Sequence, residues 1–232
     1  MHWAVDRLTK TYGRITALTD VSFTVEPGEV LGLIGPNGAG KTTLFECMAG
    51  LLLYDSGTVT ADGAAIGPRA RASRIFYLPD AIAPWPAQTV RWAFDFTIGF
   101  FGGEDAGDVV TRLDLAPLLD APIGTLSKGQ RKRALLAIGL LTPQPLLLAD
   151  EPFEGLDLRQ TREVAATLRA HAAGGRTLFL SIHQISDAAR VCDRFVLLSA
   201  GRVCATGTIA ELSRRASAPD TTSLEELFLA LT

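Results

Sequence analysis

Residues 30–42 read VLGLIGPNGAGKT, an apolar run of five residues followed by a glycine-rich segment that ends in lysine and threonine. The segment from Gly35 to Thr42 matches the G-x-x-x-x-G-K-[ST] pattern of phosphate-binding loops, and a helix-like run begins directly after it at Thr43. Glycine can adopt positive φ, so the loop can turn its backbone N–H groups toward an anion in front of the helix N-terminus. This stretch therefore predicts an α/β protein that binds a nucleotide.

The loop also points to individual candidate residues. Lys41 is placed to reach the terminal phosphates, which makes it a candidate catalytic residue as well, and the Thr42 hydroxyl is placed to bind Mg²⁺. A glycine-rich turn that binds nothing is the alternative, and the strand-to-helix context disfavours it. The candidate nucleotide-binding residues of the loop are Gly35, Pro36, Asn37, Gly38, Ala39, Gly40, Lys41, Thr42 and Thr43.

The composition is that of a globular protein and narrows the choice of partners. The chain has 232 residues, of which 47% are apolar and 20% charged, enough for one large domain or two small ones. Its formal net charge of −3 provides no general attraction to nucleic acid or to an anionic membrane surface. The three cysteines, Cys47, Cys192 and Cys204, form no closely spaced pair, so we expect reduced thiols in the cytosol.

The chain shows no sequence pattern for crossing a membrane. Its first residues do not join a basic segment to an apolar one, so we expect no secretory signal. No apolar run approaches the roughly 18 to 20 residues that span a bilayer. If the protein works at a membrane, we therefore expect a separate subunit to cross it.

Two kinds of sheet are predicted. Polar and apolar residues alternate over residues 1–30 around two glycine-containing turns, which indicates short antiparallel strands beside the nucleotide. Three later runs, at residues 146–149, 177–182 and 195–199, are apolar on both faces, as in a buried parallel sheet whose crossovers are helices.

Residues 84–141 change to helical spacing. We interpret the aromatic side chains of this segment as the packing face of helices inserted between core strands, and not as a ligand-binding site. A further alternative is that exposed members form a docking surface for a partner. The aromatic residues are Trp85, Trp92, Phe94, Phe96, Phe100 and Phe101.

Two carboxylates end the apolar run at residues 146–149. Asp150 and Glu151 would stand at the carboxyl end of a buried strand, the edge at which open α/β sheets bind ligands. Asp150 is a candidate for holding Mg²⁺ through water, and Glu151 for orienting or deprotonating the water that attacks the γ-phosphate. An acidic strand end that faces solvent is the alternative, and the phosphate-binding loop upstream favours catalysis.

A third motif, LSKGQ at residues 126–130, lies between these two. It resembles the LSGGQ signature of ABC-family ATPases, with Lys128 at the first glycine position. A serine hydroxyl, a glycine amide and a helix N-terminus together form an anion site. The resemblance implies that Ser127, Gly129 and Gln130 face the γ-phosphate held by another protomer, so that hydrolysis requires a head-to-tail dimer.

The resemblance covers nearly the whole chain and implies further roles. Tyr12 would stack on adenine, although a plain tyrosine at a strand end is the alternative. His183 follows a predicted core strand and matches the switch histidine of the family, so it would contact the γ-phosphate as a catalytic residue; a structural histidine is the alternative. Asp157 would couple the two nucleotide sites of the dimer.

Two positions depart from the family pattern. Asp80 stands where the family usually has glutamine; its carboxylate could still bind Mg²⁺ with Thr42 and Asp150, but it adds like-charge repulsion once the metal leaves. Lys128 contributes to a basic first turn of the following helix, which the helix dipole does not favour. Either this turn is a solvated face or it attracts the facing triphosphate.

The resemblance implies an architecture and two cofactors. Residues 1–212 would form one ABC-type nucleotide-binding domain, an α/β fold with a P-loop NTPase (RecA-like) core, an antiparallel β subdomain and a helical subdomain inserted at about residues 84–141. Residues 213–223 would be a flexible linker, and a short C-terminal helix would follow from near Leu224. The expected cofactors are ATP and Mg²⁺.

The expected function is that of the ATP-hydrolysing subunit of a membrane transporter. Its expected partners are a separate transmembrane permease subunit and a second nucleotide-binding subunit, either another copy or a paralogue, and no nucleic acid. Residues 77–80 and 224–228 resemble ABC-2-type exporter subunits, which favours export. The expected location is the cytoplasmic face of the cell membrane, reached through the partner.

Two other functions are considered. One is a soluble ABC ATPase acting in translation, DNA repair or cofactor assembly, although such proteins usually carry an additional domain, coiled coil or zinc insertion. The other is a P-loop kinase or other phosphotransferase, which LSKGQ, the Asp150 and Glu151 pair and His183 argue against.

Overall fold

The computed structural model describes residues 1–80, 82–103, 105–219 and 222–232, and only the backbone of Ile185 and Ser186. The strands are β1 (Trp3–Tyr12), β2 (Ile15–Val25), β3 (Val30–Ile34), β4 (Ser56–Ala61), β5 (Ala64–Ala65), β6 (Ile75–Leu78), β7 (Leu146–Asp150), β8 (Thr177–Ile182), β9 (Arg194–Ser199) and β10 (Arg202–Gly207). The helices are α1 (Lys41–Ala49), α2 (Pro68–Arg71), α3 (Val90–Phe101), α4 (Gly107–Arg112), α5 (Lys128–Leu141), α6 (Leu158–Ala173), α7 (Ile185–Val191), α8 (Ile209–Arg215) and α9 (Leu224–Leu231).

The larger sheet has the strand order β10-β9-β3-β8-β7-β6. Its five strands from β9 to β6 are parallel, and β10 runs antiparallel to β9. Every residue of β3, β7 and β8 is buried, as expected of strands that are apolar on both faces. The predicted parallel core is confirmed, and it brings the carboxyl ends of β3, β6, β7 and β8 to one edge.

The smaller sheet is antiparallel, with the order β2-β1-β4-β5. A tight turn at Gly13, with φ 59°, joins β1 to β2, so the predicted antiparallel strands are confirmed. The aromatic rings of Phe23 on β2, Phe45 on α1 and Phe179 on β8 pack together, with the Phe45 and Phe179 centroids 4.9 Å apart. This packing fixes α1, and with it the phosphate-binding loop, between the two sheets.

Helices α3, α4 and α5 lie in the chain between β6 and β7, where an insertion was predicted. Helix α5 contacts α3 on one side and β6 and β7 on the other, and from Lys132 onward all its residues are buried. The guanidinium of Arg176 donates hydrogen bonds to the carbonyl oxygens of Leu140 (2.7 Å) and Gly139 (2.8 Å) at the end of α5. Burial lowers the pKa of Arg176 to about 10.

The aromatic residues of α3 divide between two faces. Phe94 is 2% exposed and packs in the core, as predicted. The packing prediction is wrong for Trp92, Phe96 and Phe100, which are 39%, 42% and 71% exposed. Helical spacing places residues four apart on one face, and here that face points to solvent.

The predicted linker at 213–223 is wrong in its first part. Helix α8 continues through residue 212 to Arg215, and Ser213 is fully buried. Helix α9 begins at Leu224, as predicted, whereas Asp220 and Thr221 lie outside the described residues. The division of the chain into domains stays a prediction. Within the described residues, no helix combines the length and apolar character needed to cross a bilayer.

Candidate active site

The phosphate-binding loop follows β3 and ends at the first residue of α1. Gly40 adopts φ 102° immediately before the helix, a left-handed conformation that favours glycine. A Cβ at Gly35 would lie 2.3 Å from the carbonyl oxygen of Leu198, so the close approach of β9 also requires glycine. The predicted binding residues from Pro36 to Thr43 all line one cavity of about 360 Å³, which we call the nucleotide cavity.

Lys41 is held at the base of this loop. Its side chain is 8% exposed, and its Nζ donates a hydrogen bond to the carbonyl oxygen of Gly35 at 2.7 Å. The same ammonium lies 3.8 Å from Glu151 Oε1. The loop and the acidic end of β7 therefore face each other across the nucleotide cavity.

Asp150 is fixed by three neighbouring hydroxyl groups. The Thr42 hydroxyl donates to Asp150 Oδ2 at 2.8 Å, and the Ser181 hydroxyl donates to Asp150 Oδ1. The Tyr77 hydroxyl lies 3.5 Å from Asp150 Oδ2. Burial, together with the nearby charge of Asp150, raises the pKa of Tyr77, so the phenol remains a proton donor.

Ser181 and Tyr77 are site residues that the sequence analysis missed. Ser181 is the direct register partner of Asp150 across β7 and β8, and Tyr77 lies on the neighbouring strand β6. Ser181 lies two residues before His183, and Tyr77 lies three residues before Asp80, so closeness to a predicted site residue was the available signal. To use that signal one must know that strands β6, β7 and β8 are adjacent.

Glu151 directly follows Asp150 but adopts a different backbone conformation. Its φ is 51°, a region that non-glycine residues enter mainly where function or tight packing requires it. The backbone N–H of His183 donates to Glu151 Oε2 at 3.0 Å. Burial raises the pKa of the Glu151 carboxyl above its ordinary value, and the Lys41 ammonium opposes that rise. The side chain is thus oriented toward the phosphate-binding loop.

An adjoining cavity of about 490 Å³ extends the site outward. It is lined by residues of four predicted site segments, and it shares Asn37, Asp80 and Glu151 with the nucleotide cavity. Its lining residues are Asn37, Asp80, Glu151, Phe153, Glu154, Ile182, His183 and Gln184. The structure therefore brings His183 beside Glu151. Its predicted contact with the γ-phosphate stays a prediction.

Thr42 and Asp150 are suited to a magnesium ion. Magnesium in nucleotide sites is bound by one or two protein oxygen ligands, with phosphates and water completing the octahedron. Among the described residues, no three histidine, cysteine or acidic side chains form a metal cluster. A hydroxyl and one carboxylate beside the loop thus fit an ion that also binds phosphates.

The LSKGQ motif lies elsewhere on the surface and begins α5. The Ser127 hydroxyl accepts the N–H of Gln130 at 3.3 Å, and Gln130 Oε1 accepts the N–H of Ser127 at 2.9 Å, which forms a capping box. Gly129 approaches the backbone of Gly155, where a Cβ would lie 2.9 Å from the carbonyl oxygen. None of these residues lines the nucleotide cavity of its own chain.

Comparison with known proteins gives the family. Residues 18–154 match the model of the ABC transporter family. The chain belongs to this family. It is 35% identical over 210 residues, 87% of this chain and 69% of the relative, to the Nod factor export ATP-binding protein I of Paraburkholderia xenovorans (strain LB400). It is also 30% identical over 218 residues, 90% of this chain and 70% of the relative, to the linearmycin resistance ATP-binding protein LnrL of Bacillus subtilis (strain 168).

The fold comparison agrees with this assignment. A solved structure described as the ATP-binding subunit of an ABC transporter superposes with a TM-score of 0.90 and 29% identity, covering 100% of this chain and 99% of the other. The protein is thus an ATP-binding ABC subunit and an ATPase with the predicted P-loop NTPase fold.

For two residues of this ABC subunit, Tyr12 and Asp80, the geometry supports the predicted role less directly. Tyr12 ends β1 with 46% of its surface exposed, and Lys10 Nζ lies 5.3 Å from its ring centroid. Its stacking on adenine stays a prediction. Asp80 lines the nucleotide cavity, but Lys132 Nζ lies 2.5 Å from its Oδ1. Its role as a metal ligand also stays a prediction.

Lys128 forms an ion pair within its own chain. Its Nζ lies 2.6 Å from Glu154 Oε1, and both side chains are largely exposed. The hydrogen bond to Glu154 raises the pKa of Lys128. Of the two interpretations left open by the sequence, this geometry favours a solvated face over attraction for a facing triphosphate.

Proposed function

We propose that this chain hydrolyses MgATP to power export through a separate transmembrane subunit. The observation that carries the proposal is the position of Glu151, which accepts the His183 N–H and faces Lys41 at the phosphate-binding loop. The name of the Paraburkholderia relative, which specifies export, supports the direction of transport. We further propose that the chain works at the cytoplasmic face of the membrane, held there by the transmembrane subunit.

The proposed chemistry follows from the geometry. The N–H groups of the loop and the Lys41 ammonium bind the β- and γ-phosphates. A magnesium ion, bound by Thr42 and by Asp150 through water, would neutralise charge that develops on the phosphates. Glu151 accepts a proton from water as the water oxygen bonds to the γ-phosphorus and the bond to the bridging oxygen breaks, which releases ADP and phosphate. The His183 N–H keeps the Glu151 carboxylate in place.

A second nucleotide-binding subunit completes the proposed site. Ser127, Gly129 and Gln130 stand at the N-terminus of α5, where Ser127 is exposed, and none of them lines the nucleotide cavity of the same chain. A helix N-terminus with a capping serine is suited to an anion. We therefore propose that two subunits, copies or paralogues, pair head to tail so that each LSKGQ faces the other's γ-phosphate.

The transmembrane subunit would bind the exposed aromatic face, defined as Trp85, Trp92, Phe96 and Phe100. The Trp92 and Phe96 rings stack with centroids 5.2 Å apart, Phe96 and Phe100 stack at 5.9 Å, and Trp85 packs edge-on against Trp92 at 5.5 Å. Contiguous exposed aromatic surface of this kind marks protein interaction sites.

The double variant Trp92→Ser/Phe100→Ser tests this docking surface. Buried aromatic residues contribute much of the energy of interfaces, so we expect the amount of co-purified transmembrane subunit to fall about tenfold or more. ATP turnover of the isolated chain should persist, because neither side chain lines the nucleotide cavity. The measurement is affinity purification of the tagged chain from native membranes, followed by quantitative mass spectrometry.

Leu229→Ser is the matched control. Leu229 is 73% exposed on α9, so its replacement removes exposed apolar surface outside the aromatic face and should leave the complex intact. If the parental chain retained ribosomes or nucleic acid and no polytopic membrane protein, transport would be the wrong function, and a soluble ABC ATPase would be favoured.

A further inference from the structure

Lys132, on the second turn of α5, carries a buried ammonium group. Its side chain is 6% exposed, and its Nζ lies 2.5 Å from Asp80 Oδ1. Among the described residues, Asp80 is the only hydrogen-bond acceptor of this ammonium. Since a buried charge without a partner is costly, Lys132 and Asp80 depend on each other for their positions.

Asp80 lies where three cavities meet, since it also lines the cavity of about 490 Å³ beside Glu151. On one side it lines the nucleotide cavity together with Lys41 and Asp150. On the other side it lines a basic cavity of about 280 Å³ together with Arg131 and Lys132. The Asp80 and Lys132 pair therefore connects the wall of the nucleotide cavity to the first turns of the helix that LSKGQ begins.

Two lysines one turn apart on α5 pair with acidic residues of this region, and they differ in burial. The pair of Lys128 with Glu154 has side chains 58% and 45% exposed, so water and salt screen it and it contributes little. The pair of Lys132 with Asp80 has side chains 6% and 33% exposed and is screened less. Of these two lysines, Lys132 is therefore the one whose loss would change the electrostatic potential in the nucleotide cavity.

We infer that Lys132 is a positioning residue that neutralises Asp80 and thereby reduces the dependence of nucleotide binding on Mg²⁺. The inference rests on the nucleotide-binding role in the proposed function. Without Lys132, the Asp80 carboxylate would add an uncompensated negative charge to a cavity that already holds Asp150 and Glu151. That charge repels a metal-free nucleoside triphosphate but attracts the divalent cation of the magnesium complex.

The test compares the affinity of the full chain for a fluorescent ATP analogue in EDTA and in Mg²⁺. For Lys132→Gln we expect the affinity in EDTA to fall on the order of tenfold, while the affinity in Mg²⁺ changes much less. Arg131→Gln is the matched control, because it removes the same charge from the adjacent residue, which lines the same cavity without an ion pair among the described residues. It should change both affinities to a similar, small extent.

Two further variants make the test independent of the folding of Lys132→Gln. Asp80→Asn alone keeps the lysine and should make binding in EDTA relatively tighter, and Asp80→Asn/Lys132→Gln should restore the parental ratio of the two affinities. Thermal melting of each variant checks its fold. An unchanged ratio in Lys132→Gln, or an altered ratio that persists in the double variant, would overturn the inference. If the parental chain failed to bind the analogue in Mg²⁺, the proposed function itself would fail.

Discussion

Glu151→Gln is expected to lower steady-state ATP turnover by at least about a hundredfold while ATP binding is retained. The amide oxygen can still accept the His183 N–H that holds Glu151 at 3.0 Å, so the geometry should be preserved. The amide cannot take a proton from the attacking water, and general-base catalysis is lost. Turnover is measured by phosphate release at saturating MgATP, and binding by equilibrium titration.

The same variant also tests the proposed dimer. With hydrolysis blocked, the subunits should accumulate with two ATP molecules between them, and gel filtration in MgATP should show a dimer. The parental chain should show less dimer under the same conditions, because hydrolysis reopens it.

Glu154→Gln is the matched control for Glu151→Gln. It also replaces a carboxylate by an amide in the cavity of about 490 Å³ that Glu151 lines. The Glu154 carboxylate, however, pairs with Lys128 and does not face Lys41. Its turnover should stay close to the parental value. Hydrolysis by Glu151→Gln at the parental rate would show that Glu151 is not the base.

Arg71→Ala is expected to lower the free energy of unfolding by about 3 kcal/mol. Arg71 is fully buried. Its guanidinium donates to the carbonyl oxygens of Cys47 (2.7 Å) and Ile66 (2.9 Å) and to the Tyr54 hydroxyl (2.8 Å). Alanine would leave buried acceptors with fewer partners and a cavity where the side chain packed.

Urea denaturation followed by circular dichroism measures this loss. For a chain of this size, we also expect the melting temperature to fall by about 10 °C. Arg69→Ala is the control, because Arg69 lies on the same short helix α2 but is exposed, and its replacement should change stability by less than about 0.5 kcal/mol. Equal stabilities of the two variants would contradict the structural role of Arg71.

The error at residues 213–215 shows what composition alone misses. Serine, alanine and arginine within residues 213–223 suggested a linker from residue 213 onward, but Thr208 and Glu211 form a capping box that starts α8 before it. The helix then continues to Arg215 because Leu212 and Ser213 are buried against the rest of the chain. Burial against residues far away in the chain thus determined the conformation of a segment whose own residues favour neither helix nor linker.

The candidate site likewise contains some residues that the sequence identifies and others that only the folded structure reveals. Residues 35–42 and the acidic pair Asp150 and Glu151 could be recognised from the sequence, because each motif is contiguous and each follows a strand that is apolar on both faces. The resemblance to ABC ATPases correctly identified the family. These features depend on local order along the chain, which the sequence states directly.

Only the tertiary structure decided which residues meet across the sheet. Ser181 contacts Asp150 from 31 residues away, and Lys132 contacts Asp80 from 52 residues away. Such contacts follow from the strand order β8-β7-β6 and from the packing of α5, both of which depend on the whole chain. The amino-acid sequence by itself thus determined the ligand and the family, whereas the folded chain determined how the carboxylates around that ligand are paired, because charge compensation depends on distance in space.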